Sequence, residues 1–250
     1  MGKPQIIIEN TAGINNSNLE QARDRLIQGN TYKDLSTIIV VPTRGMIPAR
    51  VVQSWLGLML PMNNKCIRIF MTGMAVDEAY NNAIETILNH PDLSTWKYIL
   101  TLEEDNMPPP DGLLRLYEGM DKYDVVSGLY WTKGGMMNGD KYEPAGQPMI
   151  YGNPKEIPLN FIPQVPIPNT LQEANGLGMG FNLFKISMFK DERIPRPWFK
   201  TVQEYQPGIG AKAFTQDLWF YQNAGRVGYR FACNTNVLVG HLDYTNDLVW

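Results

Sequence analysis

The chain has 250 residues, 44% of them hydrophobic and 19% charged, with a net charge of −3 from 22 basic and 25 acidic side chains. That composition buries a core and excludes general disorder. The small charge, with no long run of either sign, argues against a protein held to nucleic acid by phosphate neutralisation. Cys66 and Cys233, the two cysteines, make neither a disulfide framework nor a zinc cluster and suit a reducing compartment. No apolar stretch reaches the length of a membrane-spanning helix, and MGKPQIIIEN lacks a signal-peptide core, so the expectation is a soluble cytoplasmic protein.

The first segment is an apolar IIIEN, a polar stretch, then SNLEQARDRLIQG. Ser17 and Glu20 have capping-box spacing and predict a helix over 18–29. Residues 1–35 therefore read as a strand and helix added to a main domain over 36–250. STIIVV is a buried β-branched strand that ends in the turn PTRG. ARVVQSWLGLML follows as a helix with Val52, Trp55, Leu56 and Met59 on one face. CIRIFM is the next strand. TGMAVDEAYNNAIETILN is a turn and a helix with Ala79, Ala83, Ile84 and Ile87 inward. KYILTL runs straight into the acidic turn EEDN, Asp111 caps the helix GLLRLYEGM, and DVVSGLYW is a fourth strand. Short strands alternating with helices predict an α/β fold: a mainly parallel, Rossmann-type sheet flanked by helices on both faces. Ligands bind such sheets at the carboxyl ends of the strands, so PTRG, TGMAVD and EEDN line one cleft.

After Trp131 the pattern changes. Gly-rich GGMMNGDKYEPAGQPM and Pro-rich NPKEIPLNFIPQVPIPN cannot be helical, so 132–170 reads as a long excursion with a hairpin around Met149–Tyr151. GMGFNLFKI is then a strand, Asp217 to Ala224 a helix capped by Thr215, and GYRFAC and NVLVG closing strands followed directly by His241.

KYILTLEEDNMPPP carries the densest chemistry. Glu103 and Asp105 alternate on extended backbone and share a side. Carboxylates crowded in a cleft raise each other's pKa, and a divalent cation of the magnesium or manganese type relieves that conflict. The same turn reads equally as a solvated acidic cap. Asp217, at a helix start, reads either as a general base or as a capping residue; the helix terminus lowers its basicity, so burial must compensate. His241 follows an apolar strand, a common structural position, and becomes a ligand only if the carboxylates lie beside it. Trp131, Trp198 and Tyr130 sit in or near polar loops and suit the C–H face of a sugar, or plain packing. Lys133 suits a phosphate or an acceptor. Met136 and Met137 suit an adaptable pocket or mere compositional habit.

These pieces resemble glycosyltransferases of the GT-A fold, with similarity to the family-2 type. The strand with an acidic x-Asp turn and nearby proline resembles that family's metal motif, and IIVVPTRG resembles its first strand and nucleotide-contacting loop. VDEAYNNAI resembles a segment usually reading A-R-N-x-A-I, with Tyr80 in place of Arg. GLGMGFNLFKISMF resembles the acceptor-side strand. TQDLWFYQNAGRVGYRF resembles the helix that often begins Glu-Asp, with Gln216 replacing the Glu. NVLVGH resembles the segment whose His completes the metal site. The resemblance spans about residues 36–243. It implies a nucleotide-binding part over 36–131 and an acceptor-side part over 132–250.

The resemblance further implies a metal-dependent transfer of a sugar from a nucleotide-diphosphate donor, UDP- or GDP-linked, to an acceptor hydroxyl. Thr43, Arg44 and Asp77 would face the nucleotide. Glu103 and Glu104 would contact the donor. Asp105 and His241 would hold Mn2+ or Mg2+, and Asp217 would be the base of an inverting displacement. Trp131, Lys133 and Trp198 would meet the acceptor, a glycan or small molecule, with a modified nucleic-acid base a further option. Two other readings stand beside this one. One is a nucleotidyltransferase, for which PTRG is a poor signature. The other is a catalytically inactive sugar-nucleotide or glycan-binding protein, which the changes at Tyr80 and Gln216 permit.

Overall fold

β-branched apolar runs supply one central sheet. A computed structural model describes residues 5–8, 24, 27–28, 33–62, 64–138, 141–208 and 210–250. Its main-sheet strands are β1 (Gln5–Ile8), β2 (Thr37–Thr43), β3 (Cys66–Thr72), β4 (Tyr98–Leu102), β5 (Val125–Leu129), β6 (Leu171–Ala174), β7 (Phe181–Lys185) and β8 (Phe231–Leu238). They lie in the order β1-β3-β2-β4-β7-β5-β8-β6. β2 pairs in parallel with β3 and β4, setting Val40 beside Ile69 and Thr101. β5 and β8 are also parallel, with Ser127 beside Cys233. β1, β6 and β7 run the other way. The sheet is therefore mixed, with β2, β3, β4, β5 and β8 setting its main direction.

The helices are α1 (Ala49–Leu56), α2 (Val76–Asn89), α3 (Gly112–Tyr117) and α4 (Gln216–Arg226). Successive side chains of a strand point to opposite faces, and β2 feeds two cores in this way. Ile38 and Val40 join Ala79, Ala83 and Ile87 of α2 and Phe220 of α4. Ile39 and Val41 join Val51 and Trp55 of α1 and Leu113 and Leu116 of α3. Both faces of the sheet are thus covered, as the near-continuous apolar runs require.

Several expectations are corrected. α1 buries Val51 and Trp55, while Leu56 is 83% exposed and Val52 and Met59 also face outward. The helix stops at Gly57, so an apolar pattern carried through Met59 picked the wrong face. The hairpin is not at Met149–Tyr151. It pairs Trp131–Asn138 with Lys141–Pro148. Ile150–Tyr151 instead pairs with Gly176–Leu177. A further hairpin, Val202–Gln206 with Gly210–Phe214, was not foreseen. The N-terminal apolar run is β1, an edge strand of the main sheet. The helix expected over 18–29 lies mostly outside the described residues, of which Asp24, Ile27 and Gln28 are helical.

Candidate active site

A cleft of about 430 Å³ opens where β2 and β4 end. The β2 turn contributes Thr43 and Arg44, the β4 turn contributes Glu103, Glu104 and Asp105, and Gln216 closes one side. Met74 and Val76, at the start of α2, supply an apolar wall.

Glu104 is the buried brace of this edge. Its Oε2 accepts the Thr43 hydroxyl at 2.7 Å and the Arg44 N–H at 2.8 Å, and its Oε1 accepts the Arg44 guanidinium. The Tyr244 hydroxyl donates to the Glu104 carbonyl at 2.9 Å, and the Arg44 guanidinium lies 5.3 Å from the Tyr244 ring centre. Glu104 therefore spends its carboxylate on shaping the loop rather than on a ligand. The Glu104 carboxylate in turn raises Arg44 above its ordinary pKa. Arg44 remains largely exposed, with the rest of its guanidinium open to the cleft.

Glu103 faces inward beside it. The Tyr80 hydroxyl, on α2, donates to Glu103 Oε1 at 3.1 Å. Burial first, and the Asp105 charge second, push the Glu103 carboxyl up to about 8.

Asp105 and His241 meet although 136 residues of sequence separate them. A strand Gly240–Asp243 pairs antiparallel with Asn106–Met107, setting His241 opposite Asn106. Leu242 N–H donates to the Asp105 carbonyl at 2.8 Å, and His241 Nε2 lies 3.5 Å from Asp105 Oδ2. Asp105 Oδ1 and His241 Nδ1 are buried without a hydrogen-bond partner. Buried polar atoms of this kind demand an explanation, and an ion is one. Among the described residues no cluster of three or more carboxylate, imidazole or thiol donors is arranged to hold a metal. A pair of protein donors still fits magnesium or manganese, which keep water and phosphate oxygens as their remaining ligands.

Asp217 lies in the first turn of α4, one residue after its start at Gln216, and is 6% exposed. Burial raises its pKa, while the Thr215 hydroxyl and the Leu218 N–H pull it back. Burial outweighs the helix terminus, in the direction a base requires.

Other expected residues lie elsewhere. Asp77 Oδ2 accepts the Thr201 N–H at 3.2 Å and does not line the cleft. Trp198 is a core residue at 3% exposure, edge-on to Phe189 and beneath the Arg196 guanidinium. Trp131 is half-buried, and Lys133 is exposed on the hairpin. The sequence reading set Tyr130 among aromatics suited to a sugar face or to packing and Tyr80 at a position usually Arg, and it foresaw neither one's contacts at this site. Tyr80 falls in the inward phase of Ala83, Ile84 and Ile87, a readable signal. The Tyr130 hydroxyl accepts the Gly180 N–H at 3.0 Å, and its ring centre lies 5.7 Å from that of His241. A Cβ at Gly178 would fall on that hydroxyl, and one at Gly180 would sit 2.6 Å from the Asn106 amide. The Gly-rich segment is thus a close-approach surface.

No family model matches the sequence, and no curated protein matches it. Solved structures do. A197 from STIV superposes with a TM-score of 0.56 at 16% identity, over 86% of this chain and 93% of that one. A crystal structure of GalNAc-T7 with UDP, GalNAc and Mn2+ superposes with a TM-score of 0.51 at 10% identity, over 92% of this chain and 53% of that one. The fold is GT-A-like. On this GT-A-like frame, the ends of β2 and β4 and the strand after β8 bring Thr43, Arg44, Glu103, Asp105 and His241 to one edge of the sheet. No helix among the described residues is long and apolar enough to cross a membrane.

Proposed function

We propose that the protein is a metal-dependent glycosyltransferase that moves a sugar from a UDP- or GDP-linked donor to an acceptor hydroxyl. The observation that carries this reading is the Asp105–His241 pair, 3.5 Å apart, with one unpartnered buried atom on each. Asp105 and His241 would hold Mn2+ or Mg2+. Bound there, the ion would neutralise the diphosphate and stabilise the leaving nucleotide. Thr43 and Arg44, fixed by Glu104, orient the base or ribose. The open side of the Arg44 guanidinium adds positive charge where a diphosphate would lie. Glu103, oriented by Tyr80, contacts the ribose or the sugar.

Asp217 takes the proton from the acceptor hydroxyl as that oxygen attacks the anomeric carbon, giving inversion. Its raised pKa suits that role. Trp131 and Lys133, at the root of the hairpin, are the acceptor-side residues that remain accessible. The acceptor is a glycan or small molecule, a modified nucleic-acid base being a further candidate.

The test is release of nucleotide diphosphate from a panel of UDP- and GDP-sugars with Mn2+. Chelator-sensitive release that His241→Ala abolishes is the expected result. Release indifferent to both chelator and variant would refute the metal role.

A further inference from the structure

A second pocket, of about 290 Å³, lies at the opposite edge of the sheet from the cleft. Its strand walls are the end of β6 and the start of β8, where Ala174 pairs with Phe231. Phe231 is level with Val125, the first residue of β5, so the pocket sits at the amino ends of β5 and β8, which run in the same direction as β2 and β4, the strands whose carboxyl ends frame the cleft. The second half of α4 forms another wall, and Pro154 and Leu159 of the Pro-rich segment form the rim.

Gln222 and Arg226, both on α4, have no side-chain partner among the described residues. Asn175 gives its amide N–H to the Asn160 carbonyl at 2.9 Å and leaves its side-chain oxygen for a donor. Arg230 pairs with Glu173 Oε1 at 2.6 Å and holds that carboxyl below its usual range. One carboxylate against two guanidinium groups leaves the lining with a net positive charge. Lys155, beside the rim, adds to the positive potential at Glu173. The floor is apolar, with Ala174 2% and Phe231 4% exposed.

Each of these features selects part of a ligand. An unpaired guanidinium takes a carboxylate or phosphate. A free amide, a side-chain oxygen and the outer face of an ion pair take hydroxyl groups. An apolar floor takes a C–H face. The volume, near the lower end of the usual range for small-molecule sites, limits the ligand to about one ring. We propose that this pocket is a binding site for a single anionic sugar unit, carrying a carboxylate or a phosphate, and shares no lining residue with the active-site cleft. The site does not depend on the reaction proposed for the cleft.

Ligand-observed NMR titrations of the full chain with glucuronate, glucose 6-phosphate, glucose and inorganic phosphate test this. Saturable binding of at least one acidic sugar is expected, weakened about tenfold by Arg226→Gln, the loss of one charge-assisted hydrogen bond. Gln222→Leu should weaken the same ligand, and glucose should bind more weakly than its acidic forms. Which acid binds decides between carboxylate and phosphate. UDP or GDP with Mn2+ should leave the binding unchanged. The proposal is overturned if neither acidic sugar binds, or if Arg226→Gln binds as well as wild type. It is also overturned if inorganic phosphate alone matches glucose 6-phosphate and glucuronate does not bind, or if the nucleotides displace the sugar.

Discussion

Burial and the adjacent Asp105 charge push the Glu103 carboxyl up to about 8, against 4.5 for an ordinary glutamate. A carboxyl whose folded-state pKa is raised stabilises the fold fully below the unfolded value. It loses that contribution as pH climbs through the folded value. Wild type should therefore lose stability relative to Glu103→Gln between about pH 4.5 and 8. Denaturant midpoints of the two proteins across that window check this, and parallel profiles would remove the electrostatic conflict. Asp217 makes a separate test. Replacing it with Asn keeps the shape and the helix start but removes the base. Transfer should fall by about a hundredfold or more while donor binding and melting temperature hold. An unchanged rate in a folded variant would move the base elsewhere. The residue types at this site were legible because the acidic turn is contiguous. Glu104 was not: nothing in EEDN tells a ligand from a brace, and only the Thr43 and Arg44 contacts make it a brace.

At the scale of elements, the strand and helix order was readable because buried parallel strands need long β-branched runs and their crossovers need amphipathic helices. Which face of α1 turns inward was not readable. Val51 and Trp55 are one turn apart, and so are Val52 and Leu56, so either pair makes an apolar stripe. The structure buries the first pair; the Trp55 indole N–H also donates to the Asn106 carbonyl at 2.8 Å, beside the acidic turn. Trp55→Ala should cost about 3–5 kcal/mol, whereas Leu56→Gln should stay within about 0.5 kcal/mol of wild type. Chemical denaturation of both variants checks the assignment, and the reverse ranking would contradict it. The hairpins escaped notice for a different reason. Trp131–Asn138 and Lys141–Pro148 are rich in Gly, Pro and charge, a composition that strand propensity disfavours, yet they pair along their whole length.

At the scale of the whole molecule, the sheet gathers five chain segments at one edge, and the most distant of them completes the site. The strand bearing His241 pairs with Asn106–Met107, and Tyr244 ties the same segment to Glu104. The turn after β2, the acidic turn and the C-terminal segment are thereby joined by hydrogen bonds. Sequence order could suggest that convergence only through resemblance, because it is set by a long-range pairing with no local signature. Trp198 shows the opposite limit: its loop position suggested a sugar platform, while a cluster of phenylalanines draws it into the core. In the proposed reaction Asp105 and His241 would hold a cation that receives a nucleotide diphosphate. Calorimetric titration of UDP and GDP, with and without Mn2+, tests it most directly. At least one nucleotide should bind about tenfold or more tighter with Mn2+, and Asp105→Asn should erase that gain. Equal affinity with and without the ion, for both nucleotides, would contradict the claim.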